Sequence, residues 1–313
     1  MTHQSGEETR HKGGRRLPVR RLALSAGITA AALLAVVWNS PAGSTTASTD
    51  LIPPIRAAFY YPWYPEHWQE SPQFKAGLGE YDSADPLVIG NHIAQMEFAH
   101  IDAGIASWWG RGSAEDNRII ALLNAAQSHD FKWTLYYEHE YYSSPTTTKL
   151  KSDLDYIFDS YASHPSYLRV GGKPVLFVFT GNNAACTRLS AWWKANQGRF
   201  YLSFRAPSGT VMNSCRTLAD SWHVYDPSSY WSRLPGYSTT IAPGFWSGQE
   251  SSPRLARNID IWSWVAMGAK YVNDPWQLVT TWNEWPESTG IEPDGTHGFD
   301  YIRALNKYWS EGK

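Results

Sequence analysis

From residue 50 onward, short runs of β-branched, aromatic and other apolar residues alternate with longer stretches whose apolar positions recur every three or four residues. The first pattern predicts buried strands and the second amphipathic helices. Strands are predicted at Arg56–Tyr61, Gly104–Trp108, Lys132–Tyr137, Pro174–Phe179, Phe200–Phe204, Ser221–Tyr225, Thr239–Ala242 and Leu278–Trp282. Helices are predicted at Leu87–Ala99, Ala114–His129, Thr147–Ser163, Thr187–Asn196, Arg254–Ala269 and Phe299–Ser310. In the third of these, Leu154, Ile157, Phe158 and Tyr161 share one face. Ala206–Leu218 and Asp226–Ser238 read as loops. Eight strands in about 264 residues, mostly separated by helices, have the count and size of a (β/α)8 TIM barrel. A doubly wound open sheet is the alternative, but Gly77-Leu-Gly79 lacks the third glycine of its phosphate-binding fingerprint. No Gly/Ser tract, charge block or repeat divides the chain after Thr49, so residues 50–313 are read as one domain.

The N-terminal 49 residues follow another pattern. Arg10, Lys12, Arg15, Arg16, Arg20 and Arg21 precede an uncharged run from Leu22 to Trp38, and Ser40-Pro41-Ala42 opens a small-residue stretch. Basic flank, apolar run and small residues predict an export signal, with an uncut membrane anchor through residues 22–38 as the alternative. A secreted or cell-surface protein is expected either way. In such a compartment Cys186 and Cys215 could form one disulfide, provided that their Cα atoms approach closely enough.

Charge changes the picture little. Lys and Arg number 27 and Asp and Glu 29, a net charge of −2, which gives no support to a nucleic-acid binder. Aromatic content changes it more. The 17 Trp, 18 Tyr and 11 Phe suit a cleft that stacks on sugars, or equally a core of large side chains. A barrel places its chemistry at the C-terminal ends of its strands, and the aromatics concentrate there. Tyr60, Tyr61, Trp63 and Tyr64 follow the first predicted strand, Trp108 and Trp109 the second, and Tyr137 and Glu138 the third. Arg205, then Tyr225 and Asp226, then Trp246, follow the fifth, sixth and seventh; Asn283, Glu284, Trp285 and Glu287 follow the eighth. Trp63, Trp108, Trp109, Trp246 and Trp285 are the expected stacking walls of a carbohydrate cleft.

Glu284 and Glu287 are the sharpest local feature. Glycosidic cleavage generally needs two carboxyl groups, one as proton donor and one as base or nucleophile. Pro286 has no N–H and pushes Trp285 toward an extended conformation, so the pair belongs on a loop that can aim both groups into a barrel mouth. The sequence has no HExxH, no GxSxG and no Walker A loop, so neither a catalytic metal nor a cofactor is expected.

The segment Thr281–Pro293, TWNEWPESTGIEP, resembles the signature of glycoside hydrolase family 99, the endo-α-mannosidase family, and of the wider family 99-like group. Tyr60–Tyr64 (YYPWY), the strand end with Glu138, Gly172–Phe179 (GKPVLFVF) and Ala242–Arg254 extend the resemblance. It implies a (β/α)8 barrel of retaining enzymes that cleave α-mannosides through the substrate's own 2-hydroxyl. Carried over, Glu284 is the general base, Glu287 the general acid/base, and Glu138 the glutamate near the 2-hydroxyl. The chain departs from the family pattern at Pro286 and Ser288, which replace the His and Gly around Glu287, and at Gly290, which replaces a Gln. The expected partner is an oligosaccharide or polysaccharide. The alternative function is a non-catalytic polysaccharide-binding or glycan-assembly protein on the same barrel.

Overall fold

The computed structural model describes residues 49–141, 143–181, 185–206 and 209–310. Its strands are β1 (Ile55–Tyr60), β2 (Ala103–Trp108), β3 (Lys132–Tyr137), β4 (Arg169–Val170), β5 (Lys173–Val178), β6 (Tyr201–Arg205), β7 (Ser221–His223), β8 (Trp231–Leu234), β9 (Ser238–Ile241) and β10 (Trp276–Val279). Its α-helices are α1 (Pro86–Phe98), α2 (Asp116–Ala125), α3 (Thr147–Ile157), α4 (Cys186–Asn196), α5 (Gly209–Ser214), α6 (Ile259–Lys270) and α7 (Asp300–Trp309). Among the described residues the sheet runs β7-β6-β5-β3-β2-β1-β10-β9-β8. Neighbours from β7 through to β9 pair in parallel. These eight parallel strands are the ones predicted, displaced by up to three residues at their ends, and the architecture is a (β/α)8 barrel. The short strands β4 and β8 are antiparallel additions to β5 and β9. The seam between β7 and β9 is closed by side chains. Ser238 Oγ accepts from the Val224 amide (3.2 Å), and Thr240 Oγ1 donates to the Val224 carbonyl (2.7 Å).

Strand alternation divides the core in two. Inward positions, among them Ala57, Phe59, Ile105, Val175, Phe177, Trp276 and Leu278, fill the barrel. Outward positions, among them Ala58, Tyr60, Trp108, Leu135, Leu176 and Phe204, pack against the helices. Gly104 is required where the barrel wall meets a ring, since a Cβ there would lie 2.0 Å from the Trp133 indole. At the base, Arg56 donates to the Trp309 carbonyl (2.6 Å) and lies over the Trp309 ring, which ties the end of α7 to β1.

The predicted helices are present with two corrections. The helix expected from Arg254 begins at Ile259, because Asn258 caps it by accepting from the amides of Asp260 and Ile261. Thr147–Ser163 is α-helical to Ile157 and continues as a π-turn over Phe158–Ala162. The two predicted loops also hold structure: Ala206–Leu218 contains α5 and a 3-10 turn, and Asp226–Ser238 contains β8. The predicted export signal or anchor, including residues 22–38, lies outside the described residues. Among the described residues no helix is long and apolar enough to cross a membrane.

Cys186, at the start of α4, is disulfide-bonded to Cys215, with Cα atoms 5.3 Å apart. A crosslink across a separation of 29 residues constrains the unfolded chain by about 3.6 kcal/mol. Replacing both cysteines by Ser should therefore lower stability by about 3.6 kcal/mol in urea unfolding. An unchanged midpoint would show that the bridge contributes nothing.

Candidate active site

The residues after β1, β2, β3, β7 and β10 meet at the C-terminal mouth of the barrel, and alternation decides which of them face it. Tyr61, one residue past β1, points inward, and Tyr60 does not. Tyr60 sits among the helices with its hydroxyl 3.1 Å from His92 Nδ1. Trp108 is likewise turned outward, and its indole N–H donates to Asp116 (2.6 Å), which also accepts from Gly112 N, Tyr156 and Tyr161. Tyr137 points outward to Asp153 (2.8 Å). Tyr64 and Trp285 are buried beneath the mouth. These five expectations of cleft contact are corrected: Tyr60, Tyr64, Trp108, Tyr137 and Trp285 are scaffold, and Trp108 and Trp285 are not stacking walls. Asp226 is also outside the site, since it accepts from Ser228 and Ser232 and shapes the turn before β8.

Tyr61, Trp63, Trp109, Glu138, Arg205, Tyr225, Trp246, Glu284 and Glu287 remain around the mouth. Trp63 and Trp109 are half-buried rings on its rim, with Trp63 4.4 Å from Tyr61 between centroids. Trp246 is fastened beside Glu287, whose carbonyl accepts from the Trp246 amide (2.9 Å). Arg205 lies over Phe179 (4.8 Å). The sequence reading missed the inward partners of the strands it had found. Tyr136, on the inward phase of β3, and Ser107, on that of β2, both face the interior. Glu115, just before α2, is a further buried carboxylate in the neighbourhood of Glu138. Glu140 turns away from the mouth to Arg188 and the Trp192 indole.

The electrostatics are those of like charges without water. Burial pushes the Glu138 carboxyl up to about 8, and the nearby charges of Glu115 and Glu287 add to it. Burial is also the first cause for Glu284, which is pushed well above the carboxylate range, with the charge of Glu287 second. Glu287 is pushed up to about 7, mainly by burial; Arg254 opposes the rise and Glu250 adds to it. Glu138 and Glu287 therefore retain protons into the neutral range, and Glu284 is shifted in the same direction. One set of contacts favours charge on Glu284. Tyr225 donates to its Oε2 (2.6 Å), which commits that proton, so Tyr61 must donate to Tyr225 (2.7 Å). Burial and the neighbouring glutamates raise both phenols, which keeps them as donors.

The loop after β10 is held from below. Asn283 accepts from the Tyr61 amide (2.7 Å) and donates to its carbonyl (3.0 Å), which locks the end of β1 to the residue before Glu284. Thr281 Oγ1 accepts from the Glu284 amide (3.0 Å). Beneath them lie His92 and Glu292, both fully buried. Asn283 is thus a scaffold residue more than a sugar contact. Among the described residues no group of three or more His, Cys, Asp or Glu is placed to hold a metal ion.

A family model described as Glycosyl hydrolase family 99 matches residues 68–208, a span that includes Glu138 and ends before Glu284. The glycoprotein endo-alpha-1,2-mannosidase of Rattus norvegicus is 28% identical over 80% of this chain and 71% of that protein. Its namesake from Mus musculus is 29% identical over 44% of this chain, and the chain covers only 40% of the mouse protein. The solved structure of the GH99 endo-alpha-mannosidase from Bacteroides thetaiotaomicron superposes with a TM-score of 0.66 at 18% identity, covering 82% of this chain and 96% of that one. That likeness shows a shared barrel fold, and this chain carries its buried carboxylates in the mouth of that barrel. Over the matched spans the chain is similar to glycoside hydrolase family 99, and it spans less than half the length of the mouse relative.

A raised carboxyl pKa has a consequence for stability. Below about pH 4.5 Glu138 is protonated in both the folded and unfolded chains, and its full stability is present. As pH rises toward 8 the unfolded chain releases the proton first, and stability is lost at about 1.4 kcal/mol per unit of difference. Glu138→Gln should therefore narrow the gap between melting temperatures at pH 4.5 and pH 8.5. An unaltered gap would contradict the assigned environment.

Proposed function

We propose that this chain is an exported or membrane-anchored retaining glycoside hydrolase that acts on α-mannosides or closely related α-glycans. The observation that carries the reading is the group of Glu138, Glu284 and Glu287, desolvated together in the barrel mouth with Tyr225 donating to Glu284. The signature at 281–293 and the names of the relatives support the substrate class. The disulfide accords with an oxidising compartment, and the apolar run at 22–38 with export or anchoring.

The roles follow from charge. Glu284 takes the proton of the sugar 2-hydroxyl, and O2 attacks C1. The bond from C1 to the leaving oxygen breaks as Glu287 protonates that oxygen, leaving a 1,2-anhydro sugar. Water then adds to C1 and gives its proton to Glu287, while Glu284 returns a proton to O2. Two inversions at C1 give net retention. This scheme needs the pair to hold one proton between its members. Mutual repulsion and burial favour a pair that keeps a proton, and the Tyr225 hydrogen bond opposes the rise on Glu284, the member that must act as base. Glu138 holds the hydroxyl face of the sugar, and Tyr61, Trp63, Trp109 and Trp246 surround it.

Reducing-sugar release from a panel of α-mannans and other α-glycans tests the reading. The wild type should cut an α-mannan, and Glu284→Gln and Glu287→Gln should each lose at least about 100-fold in kcat. Activity should be bell-shaped in pH, with its alkaline limb at or above pH 7, where the pair gives up its remaining proton. Binding of a glycan by the wild type and both variants with no release would replace the hydrolase with a binding protein.

A further inference from the structure

Behind the loop that carries Glu284 and Glu287 lies a carboxylate that the proposed reaction does not use. Glu292 is 1% exposed, and three donors surround it. Tyr81 Oη donates to its Oε2 (2.7 Å), and so does the Trp285 indole N–H (3.1 Å). His92 Nε2 lies 3.0 Å from its Oε1, and Tyr60 Oη lies 3.1 Å from the other ring nitrogen. Tyr81 Oη also accepts from Asn283 Nδ2 (3.2 Å). The residues on either side of Glu284 are therefore both tied to Glu292, Trp285 directly and Asn283 through Tyr81. Tyr64 closes the same loop by donating to the Asn283 carbonyl (2.8 Å) and accepting from the Trp285 amide (3.2 Å). The main chain of Glu292 is fixed as well, since its amide donates to the Trp282 carbonyl (2.8 Å).

A carboxylate without solvent is an expensive way to hold a fold, and apolar packing of the same volume often holds it as well. What the carboxylate adds is direction. It accepts from several donors at once, and each of those donors is oriented as a result. Here the oriented groups are the immediate neighbours of Glu284. We propose that Glu292 is a positioning residue: through Tyr81 and Trp285 it fixes the backbone on both sides of Glu284, and so sets the separation between Glu284 and Glu287. The inference rests on the hydrolase reading for its kinetic consequence but not for its geometric one.

Glu292→Gln tests it, because the amide keeps the volume and one acceptor oxygen but turns an N–H toward His92 Nε2. Tyr81→Phe is the second variant, since it keeps the ring and removes the hydroxyl that joins Glu292 to Asn283. Both should lower kcat about 10-fold or more while KM stays within about twofold, as expected when reacting groups are misplaced by a fraction of an ångström. The carboxyl carbons of Glu284 and Glu287, followed by 13C NMR titration, should move toward the ordinary carboxylate range as the two groups drift apart. That readout needs no turnover. A wild type that cuts no glycan would sink the hydrolase reading and leave the positioning claim still tested. Variants that melt at lower temperature but keep wild-type kcat, KM and carboxyl titrations would overturn the proposal and reduce Glu292 to a structural residue.

Discussion

The mouth of this barrel holds several carboxyl groups close enough to feel one another and too buried to be screened by water. Desolvation alone would neutralise each of them. Their mutual repulsion prevents all from ionising together, so the group keeps protons at a pH where free glutamates have none. That state is useful for chemistry that must give and take a proton in one event. The loop that carries two of these groups is firmly held by the surrounding structure. Asn283 grips both backbone polar groups of Tyr61, and Thr281 holds the Glu284 amide.

The aromatic excess serves two distinct purposes. Tyr61 and Tyr225 turn their phenols toward Glu284, and Trp63, Trp109 and Trp246 stand half-buried near the same mouth. Tyr60, Tyr64, Trp108, Tyr137 and Trp285 lie one layer further out or below, and each spends its polar atom on a buried partner. An aromatic side chain with a polar tip can do either job.

This double use explains what the sequence showed and what it hid. The eight barrel strands were legible because each is an apolar run of the right length, and their ends located the mouth. The phase of each strand was not legible. Tyr60 and Tyr61, or Tyr136 and Tyr137, are adjacent and chemically alike, so no difference in polarity says which faces inward. Structure settled it through register, for example Ser107 beside Tyr136 and Trp108 beside Tyr137. Glu284 and Glu287 were legible because Pro286 and the flanking tryptophans mark an unusual loop. Glu115 and Glu292 were not, since a lone glutamate before a helix or after a strand end usually meets solvent. The burial of Glu292 depends on contacts with distant parts of the chain, such as Tyr81 and His92. The hairpin strand β8 was hidden in a segment whose Ser, Pro and Gly content reads as loop.

The central claim is that this restrained carboxyl cluster cleaves an α-glycoside by two successive inversions. The most direct measurement is the anomeric configuration of the first product, followed by 1H NMR during the first minutes of hydrolysis before mutarotation. The α-anomer appearing first is the predicted result. A β-anomer appearing first would mean a single displacement by water, and would contradict the roles given to Glu284 and Glu287.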